Sequence, residues 1–228
     1  MKYFKTNRNM ARAKNGVNGC VSGKVGNVVF YERNGIGYVR SAPARRIEKK
    51  RSEIVQMTRI KFKLVQQYVI CMLQFVKFGF QFGAGNGTAY NRAMSYNLRN
   101  AVKSQKAEAF IDWNNLAFSR DMPDPIKEIS FSLNRGSKQL TLRWELDDDV
   151  ALRLKGHQMR AYILIIPSDL GNWNVQGLGA GNNMQENEQT LTILSYDTTI
   201  THHIYIAFAS VEIPIRSTNS RYVGAIEM

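Results

Sequence analysis

Residues able to do chemistry are few in this chain, and their spacing fits no reaction. Gly19-Cys20-Val21-Ser22-Gly23-Lys24-Val25 has part of the look of a phosphate loop. That motif needs four residues between its glycines and Ser or Thr after the lysine. Here three intervene and valine follows. An NTPase site is therefore not expected, although backbone amides in such a segment can cradle an anion. Gly83-Ala84-Gly85-Asn86-Gly87 follows an expected helix rather than a strand, the wrong context for a dinucleotide fingerprint. Gly177–Gly181 reads as a loop between strands and fails likewise. The histidines are His157, His202 and His203. Neighbours on a strand face opposite sides, so His202 and His203 are not expected to share a metal ion. Asp147-Asp148-Asp149 lacks the glycine and distal glutamate of a calcium loop and reads as a solvated turn. No Gly-x-Ser-x-Gly elbow, Cys–His pairing or paired-carboxylate arrangement is legible. The expectation is no catalytic residue, no metal site and no cofactor, hence not an enzyme.

The strongest signal is charge and its placement. The chain of 228 residues is 44% apolar and 21% charged, an ordinary globular composition, yet its net charge is +13. Residues 1–63 hold 16 Lys/Arg against 3 Asp/Glu, whereas residues 126–228 hold 9 against 11. An excess confined to the first quarter points to an acidic partner for that part. The candidate contact residues are Lys14, Lys24, Arg33, Arg40, Arg45, Arg46, Lys49, Lys50 and Arg51. A phosphate backbone would gain affinity from them through counterion release. An acidic face of a neighbouring subunit would attract them equally well. Tyr3, Phe4, Phe30, Tyr31 and Tyr38 lie among these cations and could stack on bases, or pack the core of a small hairpin.

The elements that must position these residues begin with a basic arm over residues 1–15. Val25–Tyr31 and Ile36–Arg40 flank Asn34-Gly35, a β-hairpin signal. Ser52 is a fair N-cap, and apolar residues from Ile54 to Phe75 recur at helical spacing. That helix is amphipathic and basic at first. After Leu64 it turns apolar nearly all round, as a buried or contact-making helix does. Gly79 and Gly83–Gly87 end it, and Thr88 caps a second helix over Ala89–Lys103, giving an αα-hairpin. Phe110–Phe118 looks extended. Pro123 and Pro125 mark a boundary, since proline stops both helix and central strand. Beyond it six strands are expected: Ile126–Leu133, Gln139–Glu145, Met159–Ile166, Gln189–Leu194, His203–Ala209 and Arg221–Glu227. The expected fold is α+β. Residues 1–120 hold arm, β-hairpin and helical hairpin; residues 126–228 form an antiparallel β-sandwich of immunoglobulin or fibronectin-III type with Trp144 in its core.

Cys20 and Cys71 are too few for a disulfide framework and read as reduced thiols. The first ten residues show no apolar signal segment, and Phe62–Phe82 is broken by Lys63, Gln66, Gln67, Gln74, Lys77 and Gln81. Cytoplasmic synthesis without a membrane span is expected, with a virion as one destination.

Several blocks carry a resemblance. Met10-Ala11-Arg12-Ala13-Lys14-Asn15-Gly16 and Ser22–Tyr31, with Tyr90–Ala93, Ser95–Ala101 and Ser217–Gly224, resemble an uncharacterised Bacteroidota family, one of the domains of unknown function. The N-terminal block is the specific part, and the resemblance touches nearly the whole chain. Met1–Asn9 precede that family's usual start, and Cys20 stands where a glycine often sits. The resemblance implies no activity, because the family has none assigned. The expected function is a non-catalytic structural or assembly protein, of the kind found in phage virions or bacterial surface assemblies. It would dock through its basic N-terminal region on protein subunits or as a homo-oligomer. The alternative is a nucleic-acid-binding protein using residues 1–63.

Overall fold

Turn chemistry organises the first part of the chain. In the computed structural model, residues 11–17, 19–33, 35–43, 52–83, 87–105, 108–169, 175–194 and 200–227 are described. Contacts divide the chain into two compact units, Met1–Lys50 and Arg51–Met228. In the first, β1 (Ala11–Val17), β2 (Val21–Val25), β3 (Val28–Arg33) and β4 (Ile36–Ser41) form an antiparallel meander in that order. Arg33 pairs with Ile36, and the tight turn between them ends in Gly35 at φ +78°. Val25 pairs with Val28 across Gly26-Asn27, with Gly26 at φ +56°. Only glycine adopts such angles at no steric cost, so Gly26 is a second hairpin turn. It cuts the run Val25–Tyr31 that the sequence pattern presents as one strand. The expected arm over residues 1–15 is likewise corrected: β1 starts at Ala11, and residues 1–10 lie outside the described ones.

The second unit begins with α1 (Glu53–Cys71) and α2 (Leu73–Gly79), where periodicity gave one helix. Met72 interrupts it at φ −95°, ψ 20°. Backbone bonding runs through the break, since Met72 N–H still donates to Tyr68 and Val76 N–H to Met72. The break is therefore a bend rather than a loop. Thr88 caps α3 (Ala89–Asn100) as expected, its Oγ1 accepting from Asn91 N–H at 3.3 Å. Arg92 ties down the connection before it, donating to the carbonyls of Phe80, Gln81 and Gly87. The second helix stops short of Lys103, because Val102 opens a small hairpin, β5 (Val102–Gln105) and β6 (Glu108–Ile111). The extended run expected over Phe110–Phe118 is strand only as far as Ile111.

All six expected strands are present: β7 (Ile126–Asn134), β8 (Gln139–Leu146), β9 (Met159–Pro167), β11 (Glu188–Thr192), β12 (His202–Ser210) and β13 (Arg221–Ile226). A short β10 (Gln176–Leu178) joins them. The aspartate run is not a bare turn. Asp147 Oδ1 accepts from Asp149 and Val150 N–H and so starts α4 (Asp148–Leu154). The sheets run β10-β9-β12-β13 and β11-β8-β7, all pairs antiparallel.

All nine residues of β12 are buried, because both faces of its sheet are covered. Tyr162, Leu164, Ile166, Tyr205 and Ala207 join a cluster with Val65, Val69, Met72 and Val76 of the helices. Ile163, Ile165, Ile204, Ile206 and Phe208 join another with Leu140, Leu142 and Trp144 of the three-stranded sheet. The fold is thus α+β, with helices on one face of a four-stranded sheet and a second sheet on the other. Segments on both sides of Pro123 and Pro125 belong to this one unit. Met122 N–H donates to Ser217 and Asn219 N–H to Met122. The apolar second half of the first helix is mostly covered by its own chain, with Val65, Tyr68 and Val69 buried. Most of the apolar exposure falls on the first half, at Ile54, Val55, Ile60 and Phe62, with Ile70 exposed in the second. Among the described residues no helix is long and apolar enough to cross a membrane.

Candidate functional site

The register of the N-terminal meander sorts its side chains onto two faces. Residues paired across strands share a face, and residues two apart along a strand do too. Lys24 pairs with Val29, Val29 with Arg40, Tyr31 with Tyr38, and Arg33 with Ile36. Arg12 pairs with Ser22, two residues before Lys24. Arg12, Lys24, Arg33 and Arg40 therefore lie on one face together with Tyr31 and Tyr38. The opposite face carries Val21, Val25, Val28, Phe30 and Val39, with Glu32 as its acid. Cys20 belongs with it: its Sγ lies 3.6 Å from where a Cβ on Gly37 would sit. This sheet is cationic and aromatic on one side, where Val29 and Ile36 also lie, and mostly apolar on the other.

On the cationic face the Tyr31 and Tyr38 rings stack at 5.3 Å and 15°, and the Arg40 guanidinium sits 5.8 Å from the Tyr31 centroid. Cross-strand aromatic pairs of this kind stabilise a hairpin by roughly 0.2–1 kcal/mol. They do not close a core here: Tyr31 and Tyr38 remain 39% and 40% exposed, and no described residue of this unit is buried. None of Arg12, Lys24, Arg33 and Arg40 forms an ion pair with another described residue. Of the remaining candidates, Lys14 lies in β1, two residues along from Arg12. Arg45, Arg46, Lys49, Lys50 and Arg51 lie outside the described residues. Three of the nine expected contact residues, Lys24, Arg33 and Arg40, are thus brought to one surface, and Arg12 joins them there. What the residue list missed is that a two-residue period, once Gly26 is recognised as a turn, puts cations and tyrosines on the same side.

The larger unit offers polar groups that are mostly committed to structure. His203 stacks on Trp113 at 3.7 Å and 13°, and its Nδ1 lies 3.1 Å from the Tyr222 hydroxyl. Burial, with His202 adding repulsion, pushes the His203 imidazole down to about 4, so it is neutral near pH 7. His202 Nδ1 instead lies 2.9 Å from the Ile200 carbonyl, and the two rings occupy opposite faces of β12 as the alternation predicts. Asp121 takes a two-pronged hydrogen bond from Arg216, Nε at 2.6 Å and Nη2 at 2.9 Å. Ser119, buried, donates its hydroxyl to the Thr218 carbonyl and contacts the Ser217 hydroxyl at 2.8 Å. Among the described residues no group of three or more His, Cys, Asp or Glu is placed to hold a metal. A cleft of about 390 Å³ beside α2 is lined by Phe75, Phe78, Tyr162, Ile215 and the backbone of Gly177 and Gly179, with Gln74 and Ser210 as its polar groups. It gathers no acid, base or nucleophile pair.

Comparison with curated proteins returns no match. A family profile covers residues 20–224, which includes β2–β4, the helices and both larger sheets but not Met10–Gly16. With the match running from Cys20 to the closing strand, this chain belongs to DUF6266, a family of unknown function.

Proposed function

We propose that this chain is a non-catalytic docking protein, a structural component that joins a larger assembly by laying the cationic face of its N-terminal sheet on a polyanionic partner. The observation that carries this reading is the gathering of Arg12, Lys24, Arg33 and Arg40 on one face of a sheet in which no described residue is buried. A four-stranded sheet without a core is poorly stable alone and gains from a covering partner. Cations on a single side, none of them in an ion pair among the described residues, set the sign of that partner. The larger unit serves as the rigid body. Its paired sheets are read as a sandwich of the immunoglobulin or fibronectin-III class, supported by the cluster they share and by Trp144 within it. The analogy is with components of phage virions and bacterial surface assemblies, which use such a division between grip and body.

The test compares the native chain with Arg12, Lys24, Arg33 and Arg40 all changed to Gln, each isolated from the cells that make it. Light scattering should find the native chain in a particle larger than its 26.0-kDa monomer. The variant should run as free chain with an unchanged melting profile for the larger unit. A native chain found only as monomer, or a variant that stays in the particle, sinks the reading. A nucleic-acid partner is specifically favoured by the Tyr31–Tyr38 pair.

A further inference from the structure

We propose that the partner of this face is single-stranded nucleic acid, with phosphates held by Arg12, Lys24, Arg33 and Arg40 and bases stacked on the Tyr31–Tyr38 pair. The proposal rests on the docking reading above and names its partner. Three observations carry it. The cations share one face, and the unit's described acid, Glu32, lies on the other. The tyrosines sit among those cations with about two-fifths of their surface open, and Arg40 extends their stack by its place over Tyr31. An acidic protein surface would satisfy the charges but has no need of an open aromatic pair. A base has a flat face that every sequence presents, and it stacks on such rings. Third, the surface is a four-stranded sheet, roughly 15 Å across at ordinary strand spacing. A duplex groove admits a helix or a two-stranded ribbon, not a face of that width. A single strand can splay its bases across it, as on other sheet platforms.

The experiment uses the full chain and fluorescence anisotropy with oligo-dT, oligo-U and a duplex of the same length. Both single strands should bind ahead of the duplex. If four phosphates are neutralised, affinity should fall about 50-fold between about 50 and 200 mM salt. Y31A/Y38A should weaken binding by about tenfold or more at both salts while leaving the salt slope unchanged. Y31F/Y38F should keep native affinity, which shows that the alanine effect is lost stacking and not a lost sheet. Failure of both single strands to bind overturns the proposal, as does native affinity in Y31A/Y38A or equal loss in the phenylalanine variant. Polyglutamate that displaces the oligomers at equal charge also overturns it, but leaves the docking reading standing. If the particle of the previous test is absent as well, both fail.

Discussion

Asn97 shows how a polar residue that looks available for chemistry is consumed by architecture. It is fully buried, and its Nδ2 donates to the carbonyls of Ala93 at 3.0 Å and Ala117 at 2.9 Å. Its Oδ1 accepts from Ala117 N–H at 2.9 Å. Asn97→Ala would leave both backbone groups of Ala117 unpaired, each costing about 1–3 kcal/mol. The expected loss is about 3 kcal/mol in urea unfolding, and a loss under about 1 kcal/mol would contradict this account. His203 makes a pH prediction. The unfolded chain takes up a proton at this residue near pH 6.5, the folded chain only near pH 4. Its contribution to stability is therefore complete above about pH 6.5 and is lost as pH falls toward 4. His203→Phe, which keeps a ring against Trp113, should flatten the melting-temperature profile across that window. A profile as steep as the native one would assign the proton uptake elsewhere. The sequence showed that His202 and His203 face apart; it could not show that Trp113, ninety residues earlier in the chain, covers one of them.

At the scale of elements, close approach rather than propensity sets the strictest demands. A Cβ on Gly79, the last residue of α2, would fall 2.2 Å from the Phe118 carbonyl oxygen and 2.7 Å from Ser119 Cα. Both are backbone atoms that cannot swing away. Gly79→Ala should destabilise the chain by about 3 kcal/mol, the upper end of ordinary overpacking. Gly156→Ala, where a Cβ would meet nothing within 4 Å, is the control and should change stability by less than about 0.5 kcal/mol. Similar stability in the two variants would refute the close contact between α2 and the Phe118 segment. Strand alternation and Thr88 made the six strands and the start of α3 readable, because both signals are local. The end of α3, the bend at Met72 and the short β5–β6 hairpin were not readable. They follow from how helices meet the sheet, and in Val102–Ile111 no alternation marks a buried face. Gly26 is the instructive error: glycine inside an apolar run reads as a flaw in a strand until register shows it to be a turn.

Over the whole molecule, burial is unequally divided. The β9 and β12 strands are covered on both faces, while no described residue before Arg51 is buried. Hydrogen exchange on the full chain should follow this division, since local opening costs least where little apolar surface is packed. Amides of β2–β4 should exchange at least about a hundredfold faster than those of β9 and β12; equal protection would mean that something already covers the small sheet. Partner binding should then slow exchange in β2–β4 and leave β9 and β12 as they were. Charge asymmetry and strand and helix periodicity were fixed by residue order alone, because the first is a property of composition and the second spans only a few positions. Which cations share a surface, which tyrosines stay open and which glycines touch backbone were decided only by tertiary structure. The first two depend on where the hairpin turns set the pairing register, and the third on a contact of Gly79 with the Phe118 segment about forty positions away.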